Sequence, residues 1–140
     1  METTGVGIIV DSSVIVAAEG RGHTVLQMLE RIQATQGEVE IAISVVTVAE
    51  MVHGTYRADT PERQERRLAF IDRLCSDVPV YPVTLAIAYL AGRIRAQQQP
   101  KGIEIPFADL LIGTTALHLD YAVATRNERH FHLVPGLALV

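Results

Sequence analysis

Cys75 is the only cysteine in the 140 residues, which excludes an internal disulfide and a thiolate zinc site. Leu68, Ile71 and Leu74 stand at helical spacing beside it, so its expected role is packing. No apolar run approaches the roughly 18 residues that a membrane helix requires. The start of the chain, Met1-Glu-Thr-Thr-Gly5, carries no basic residue ahead of Val6-Gly-Ile-Ile-Val10, so it does not resemble a secretory leader. A cytoplasmic location with no membrane association is the expectation. A surplus of positive charge is missing too. The formal net charge is −4, and the basic residues are eleven arginines and Lys101, so the molecule as a whole does not attract nucleic acid by charge. Arg63, Arg66, Arg67 and Arg73 alternate with Glu62, Glu65 and Asp72, a pattern expected of a solvated helix laced with ion pairs. Repeats, low-complexity tracts and linkers are absent.

What is present describes a folded α/β chain. The hydrophobic fraction of 49% and charged fraction of 20% are those of a globular protein, and the length suits one domain. Gly7-Ile-Ile-Val10 reads as a buried strand ending at Asp11. Helices are expected around residues 13–18 and over 24–36, the second with Val25, Leu26, Met28, Leu29 and Ile32 as its apolar stripe and Gly37 as its stop. Val39-Glu-Ile-Ala-Ile43 is a second strand, after which Thr47 is placed to cap a helix running to residue 56. Thr60-Pro61 opens a helix to residue 76. Val78-Pro-Val80 reads as an edge strand because of Pro79.

Thr84 caps a helix to residue 98, with Leu85, Ile87, Ala88, Leu90, Ala91 and Ile94 expected inward. The longest loop, 97–106, contains Pro100, Gly102 and Pro106. Asp109 lies in the first turn of a helix to residue 119, followed by a strand at Ala122-Val-Ala124 and a last one at 137–140. Strands alternating with helices imply a three-layer α/β/α domain with a central, mainly parallel sheet.

Four polar positions stand against hydrophobic sequence, where an ionised group is costly unless compensated. Asp11 closes the first strand. Glu50 lies on the helix after the second strand, on an edge with His53, Gly54 and Arg57 if the apolar face runs through Val48, Ala49, Val52 and Tyr56. Asp109 sits in a first helical turn. The fourth position is the cluster Thr125-Arg-Asn127-Glu128 after the strand ending at Ala124. Ligands of an open parallel sheet bind beyond the carboxyl ends of its strands, and carboxylates gathered from distant points suit a hard cation. Each position also has an ordinary structural explanation: a helix cap for Asp11, an exposed helix residue for Glu50, a first-turn charge for Asp109, a turn for Asn127. The histidines offer a different chemistry. His130 and His132 flank Phe131 and would share one side of a strand there, as an imidazole acid–base pair or part of a metal site; surface or packing roles are expected of them.

Taken in order, the strand ending in Asp11-Ser12-Ser13, Ser44-Val-Val-Thr47-Val-Ala-Glu50, Ile105-Pro-Phe-Ala-Asp109-Leu-Leu-Ile112 and Val123-Ala-Thr125-Arg-Asn127-Glu-Arg-His130-Phe131 resemble the signature segments of PIN-domain ribonucleases, in particular the VapC-type toxins of bacterial toxin–antitoxin pairs. The resemblance implies a single PIN-like nuclease domain over residues 1–140 that hydrolyses RNA with Mg2+ or Mn2+. It implies a catalytic set of Asp11, Glu50, Asp109 and Asn127, with Asp11 and Asp109 as the main metal ligands and Glu50 completing the acidic cluster. Ser12, Thr125, Arg126 and Arg129 would be the substrate-binding residues. Partners implied are the RNA substrate, a cognate antitoxin whose basic residues approach the acids, and a second copy in a homodimer. Met51, Val52, Leu68 and Ile71 are the apolar residues expected to form the antitoxin's groove. The chain departs from the family pattern at Asn127, where many relatives carry a fourth acid; one negative charge fewer should weaken a second metal ion more than a first. A rival reading on the same residues is a PIN-like domain with little catalysis, whose acidic pocket captures a basic peptide.

Overall fold

The computed structural model describes residues 7–58 and 60–140; residues 1–6 and Asp59 lie outside it, and with them the opening stretch on which the leader expectation rests. The order of elements is β1 (Gly7–Val10), α1 (Ser12–Gly20), α2 (Val25–Gln36), β2 (Glu40–Ser44), α3 (Val45–Thr55), α4 (Pro61–Asp77), β3 (Val80–Tyr81), α5 (Leu85–Gln98), a 3-10 turn (Gln99–Lys101), α6 (Phe107–Leu119), β4 (Ala122–Ala124) and α7 (Glu128–Phe131). The strands form one sheet in the order β3-β2-β1-β4, every pair parallel.

β1 is all apolar because both of its faces are covered. Its alternation divides the core. Ile8 and Val10, with Ile41 and Ile43 of β2, meet Ile15, Met28, Met51, Ile71 and Leu74 from α1 to α4. Ile9, Ala42 and Val123 point to the opposite side, against Ile112, Ala116 and Phe131. A third cluster joins α5 to α6 through Ala91, Ile94, Ile105 and Leu110. This is the three-layer arrangement expected. β3 is an edge strand, as Pro79 required.

Local chemistry sets the helix starts. Thr24, Thr60 and Thr84 each accept a hydrogen bond from a backbone N–H of the following turn, and Thr24 completes a capping box with Gln27. Several expectations need correction. Ser44, not Thr47, caps α3: its hydroxyl accepts from Val46 N–H at 3.0 Å, so β2 runs directly into the helix. The buried face of α3 is Thr47, Met51 and Thr55, while Tyr56 is 62% exposed. Thr55 can be buried because its hydroxyl donates to the Met51 carbonyl at 2.9 Å. On α2 and α5 the true stripes are narrower, and Leu26 and Leu85 face outward. The expected last strand is reduced to a single parallel bridge between Val123 and Leu139.

Candidate active site

β1 is central, with the chain stepping to β2 and β3 on one side and returning to β4 on the other. The carboxyl ends of β1 and β4 therefore flank the point where the order of strands reverses, which is where open α/β sheets bind ligands. Asp11 and Thr125 are the residues immediately after these two strands. The Asp11 N–H donates to the Ala124 carbonyl at 2.9 Å and continues the ladder by one step.

Asp11 is 4% exposed. It stands at the N-cap position of α1 without using its side chain as a cap. Its Oδ2 instead accepts from Ser13 Oγ and from Thr125 Oγ1, both at 2.8 Å. Two hydroxyl donors on one oxygen supply hydrogen bonds that burial would otherwise deny this carboxylate. Thr125 Oγ1 in turn accepts from the Asn127 N–H at 2.8 Å, and Ser13 Oγ accepts from the Arg126 N–H at 2.9 Å. The loop after β4 is thereby tied to the first turn of α1.

α3 supplies Glu50, half-buried, whose Oε1 accepts from Ser12 Oγ at 3.3 Å. Burial pushes its pKa up, and repulsion from Asp11 and Asp109 pushes it the same way, while the Ser12 bond pulls it down. α6 supplies Asp109 from its first turn, with a side chain 13% exposed. Burial also raises the pKa of Asp109; the hydrogen bond from His130 opposes this, and the charge of Asp11 adds to it. Mutual repulsion of this kind arises only between carboxylates gathered in one place. The structure thus brings together Asp11, Glu50 and Asp109 from three elements, with Ser12 and Thr125 bonded to two of them.

Asn127 is close by, but its side-chain amide lies 2.8 Å from His130 Nδ1. Arg126 and Arg129 are exposed beside the cluster. Two participants are not assigned to the acidic site by the sequence: Ser13, the second donor to Asp11, and His130, whose Nδ1 lies 2.7 Å from Asp109 Oδ2. His130 was read on a strand paired with His132. It lies instead on the four-residue helix α7, and His132, the residue after that helix, faces outward near Glu128. The spacing of Asn127 and His130, one helical turn apart ahead of the apolar Phe131, was the available signal.

The donor chemistry suits a hard cation, since every candidate ligand is a carboxylate oxygen. The hydrogen bonds engage one oxygen each of Asp11, Glu50 and Asp109. Among the described residues no three His, Cys, Asp or Glu side chains form a ready-made cage. Mg2+ does not require one, because it is commonly held through one or two carboxylates with water completing its shell. Beside Glu50 opens a cavity of about 190 Å3, lined by Ser12, Val16, Glu50, Met51, Phe70 and Ile71 and by the charged Glu19 and Arg67 among others. Of the four residues expected to form an apolar groove, Met51 and Ile71 line it and Val52 and Leu68 do not. Among the described residues, no helix is long and apolar enough to cross a membrane.

Residues 8–137 match the PIN domain family. Ribonuclease VapC10 of Mycobacterium tuberculosis is 34% identical over 130 residues, covering 93% of this chain and 90% of that protein. The tRNA(fMet)-specific endonuclease VapC of Shigella flexneri is 32% identical over 108 residues, 77% of this chain and 78% of that one. Among solved structures, VapBC2 from Rickettsia felis bound to a DNA fragment from its promoter contains a chain that superposes with a TM-score of 0.80 at 22% identity, over 96% of this chain and 97% of that one. The order of strands, the three acids at their carboxyl ends and these likenesses agree: the chain belongs to the PIN-domain family and, within it, to the VapC ribonucleases.

Proposed function

We propose that the chain is a Mg2+- or Mn2+-dependent endoribonuclease and the toxin of a toxin–antitoxin pair, acting as a single nuclease domain. The observation that carries this reading is the convergence of Asp11, Glu50 and Asp109, three acids from three elements, at the reversal point of the sheet. Asp11 and Asp109 would hold the cation, with Glu50 joining directly or through water. A bound cation supplies an acidified water and offsets the charge that develops on the phosphodiester. The chain's own residues prepare the site for it. Ser13 and Thr125 hold Asp11 in place, Ser12 steadies Glu50, and the exposed Arg126 and Arg129 meet phosphates flanking the scissile bond. Asn127 in place of a fourth acid favours one firmly held ion over two. Hydrolysis leaves a 5′-phosphate and a 3′-hydroxyl.

An antitoxin is the regulatory partner in this reading. A similar fold occurs in a toxin–antitoxin complex from Klebsiella pneumoniae, and the cavity that Met51, Phe70 and Ile71 line beside Glu50 suits a helical segment that brings a basic side chain to the acids. Leu85 and Tyr89, 75% and 71% exposed on α5, offer apolar surface for the homodimer. The test is sequencing of RNA 5′ ends after expression of the wild type and of Asp11→Asn, joined to a cleavage assay with purified protein. Cleavage should require Mg2+ or Mn2+ and fall by at least about a hundredfold in Asp11→Asn and Asp109→Asn. Cleavage that persists in excess EDTA, or in both variants, overturns the proposal.

A further inference from the structure

His130 Nδ1 lies 2.7 Å from Asp109 Oδ2 and 2.8 Å from the side-chain amide of Asn127. A ring nitrogen has one in-plane position, holding either a proton or a lone pair, so it cannot accept from one neighbour while donating to the other. Two arrangements satisfy the distances. In one, Nδ1 is unprotonated and accepts from the Asn127 NH2, and Asp109 must then be protonated to stand so close. In the other, Nδ1–H donates to an ionised Asp109 and the Asn127 carbonyl oxygen faces the same proton, the amide being turned over. A carboxylate that binds a cation is deprotonated. The second arrangement is therefore the one in force whenever Asp109 is a ligand.

The contact ends a continuous chain of hydrogen bonds. Thr125 Oγ1 donates to Asp11 at 2.8 Å, the Asn127 N–H donates to Thr125 Oγ1 at 2.8 Å, the Asn127 side chain meets His130 at 2.8 Å, and His130 meets Asp109 at 2.7 Å. The two acids that converge from β1 and α6 are thus linked through one short loop and the first residues of α7. That helix is only four residues long, and Phe131, fully buried against Ile112 and Ala116, anchors it. The ring of His130 is held between Asp109 and Asn127 on a helix that Phe131 anchors.

We propose that His130 is a positioning residue: its Nδ1–H, braced by Asn127, sets the orientation of Asp109 relative to Asp11, and Asn127 acts through His130 rather than at the cation. This rests on the reading that Asp11 and Asp109 bind the cation. Hydrogen bonds that orient ligands from behind characteristically change metal affinity by about 10–100-fold when lost.

The test uses Mn2+ titration calorimetry on the purified chain, independent of cleavage, with His130→Asn, His130→Gln, His130→Ala and Asp109→Asn. An asparagine amide places an N–H near the position of Nδ1, whereas a glutamine amide reaches toward that of Nε2. His130→Asn should keep Mn2+ affinity within about threefold of wild type, and His130→Gln and His130→Ala should lose about tenfold or more. Matched melting temperatures of the Asn and Gln variants separate orientation from loss of fold. Wild-type affinity in His130→Gln and His130→Ala, alongside weakened binding in Asp109→Asn, overturns the positioning role and leaves the metal site standing. Equal losses in His130→Asn and His130→Gln also overturn it. Wild-type affinity in Asp109→Asn removes the metal site itself, and the positioning role with it.

Discussion

Thr125 Oγ1 donates to Asp11 Oδ2 at 2.8 Å, joining residues 114 positions apart at the carboxyl ends of two adjacent parallel strands. Ser13 Oγ reaches the same oxygen at 2.8 Å. These hydroxyls stabilise a charge that is 4% exposed, and they also fix where it points. Thr125→Val keeps the shape and removes one donor. It should cost about 1–3 kcal/mol, because a buried carboxylate is left under-bonded, and lower the melting temperature by several degrees. Thr125→Ser should largely restore it. Thermal melts in EDTA read this directly; an unchanged melting temperature in Thr125→Val would show that Asp11 does not need the bond.

Burial and mutual repulsion raise the pKa values of Glu50 and Asp109 in the folded chain. The fold therefore holds their protons more tightly than the unfolded chain does. Their contribution to stability is fully present below the unfolded pKa and is lost as pH rises through the folded one. Glu40 runs the other way, since hydrogen bonds from Tyr121 and Tyr81 lower its pKa and its contribution is lost as pH falls. Comparing variants separates the two. In the absence of divalent cations, Glu50→Gln should melt about 2 °C above wild type at pH 7, and the difference should shrink toward pH 4. A variant less stable than wild type at pH 7 contradicts this account of Glu50.

A divalent cation bound between these acids removes the repulsion, so it should stabilise the folded chain. Mg2+ or Mn2+ at a hundred times its dissociation constant should add about 2.7 kcal/mol. The gain should vanish in Asp109→Asn. With Asn127 supplying no fourth charge, Mn2+ titration should saturate at one ion per chain; two tight ions would show that the amide does not limit the site.

The opposite end of the sheet makes a separate prediction. A Cβ at Gly7 would stand 2.5 Å from the ring of Tyr121, whose hydroxyl donates to Glu40 Oε1 at 2.5 Å and whose ring meets Tyr81 edge-on at 6.1 Å. The ring is held from two sides and cannot easily yield. Gly7→Ala should cost about 1–3 kcal/mol by overpacking, Tyr121→Ala should offset part of that loss in the double variant, and Mn2+ affinity should not change. Additive losses in denaturant melts would place the strain elsewhere.

Much of the architecture was legible because its signals are local. A β-branched run stopped by Asp11, threonine caps at 60 and 84, and the alternation of strands with helices pointed to the three layers and the carboxyl-end location of the acids. The errors share a cause. Threonine reads as polar, yet Thr47 and Thr55 form the buried face of α3 with Met51 because a helix lets a hydroxyl bond to its own backbone. Leu26 and Leu85 read as core yet face outward, because periodicity does not say which apolar residues a neighbour will cover.

By itself, the sequence determined which residue types stand where along the elements: Asp11 at the end of β1, Glu50 within α3, Asp109 in the first turn of α6 and Asn127 ahead of α7. Only the tertiary structure decided what those residues do to one another. Bonds such as Thr125 to Asp11 and His130 to Asp109 span 114 and 21 positions, and no local preference encodes them. They exist because parallel strands bring distant carboxyl ends side by side and because buried Phe131 seats α7 against α6. The type of each group follows from its neighbours along the chain, whereas its bonding partner follows from packing.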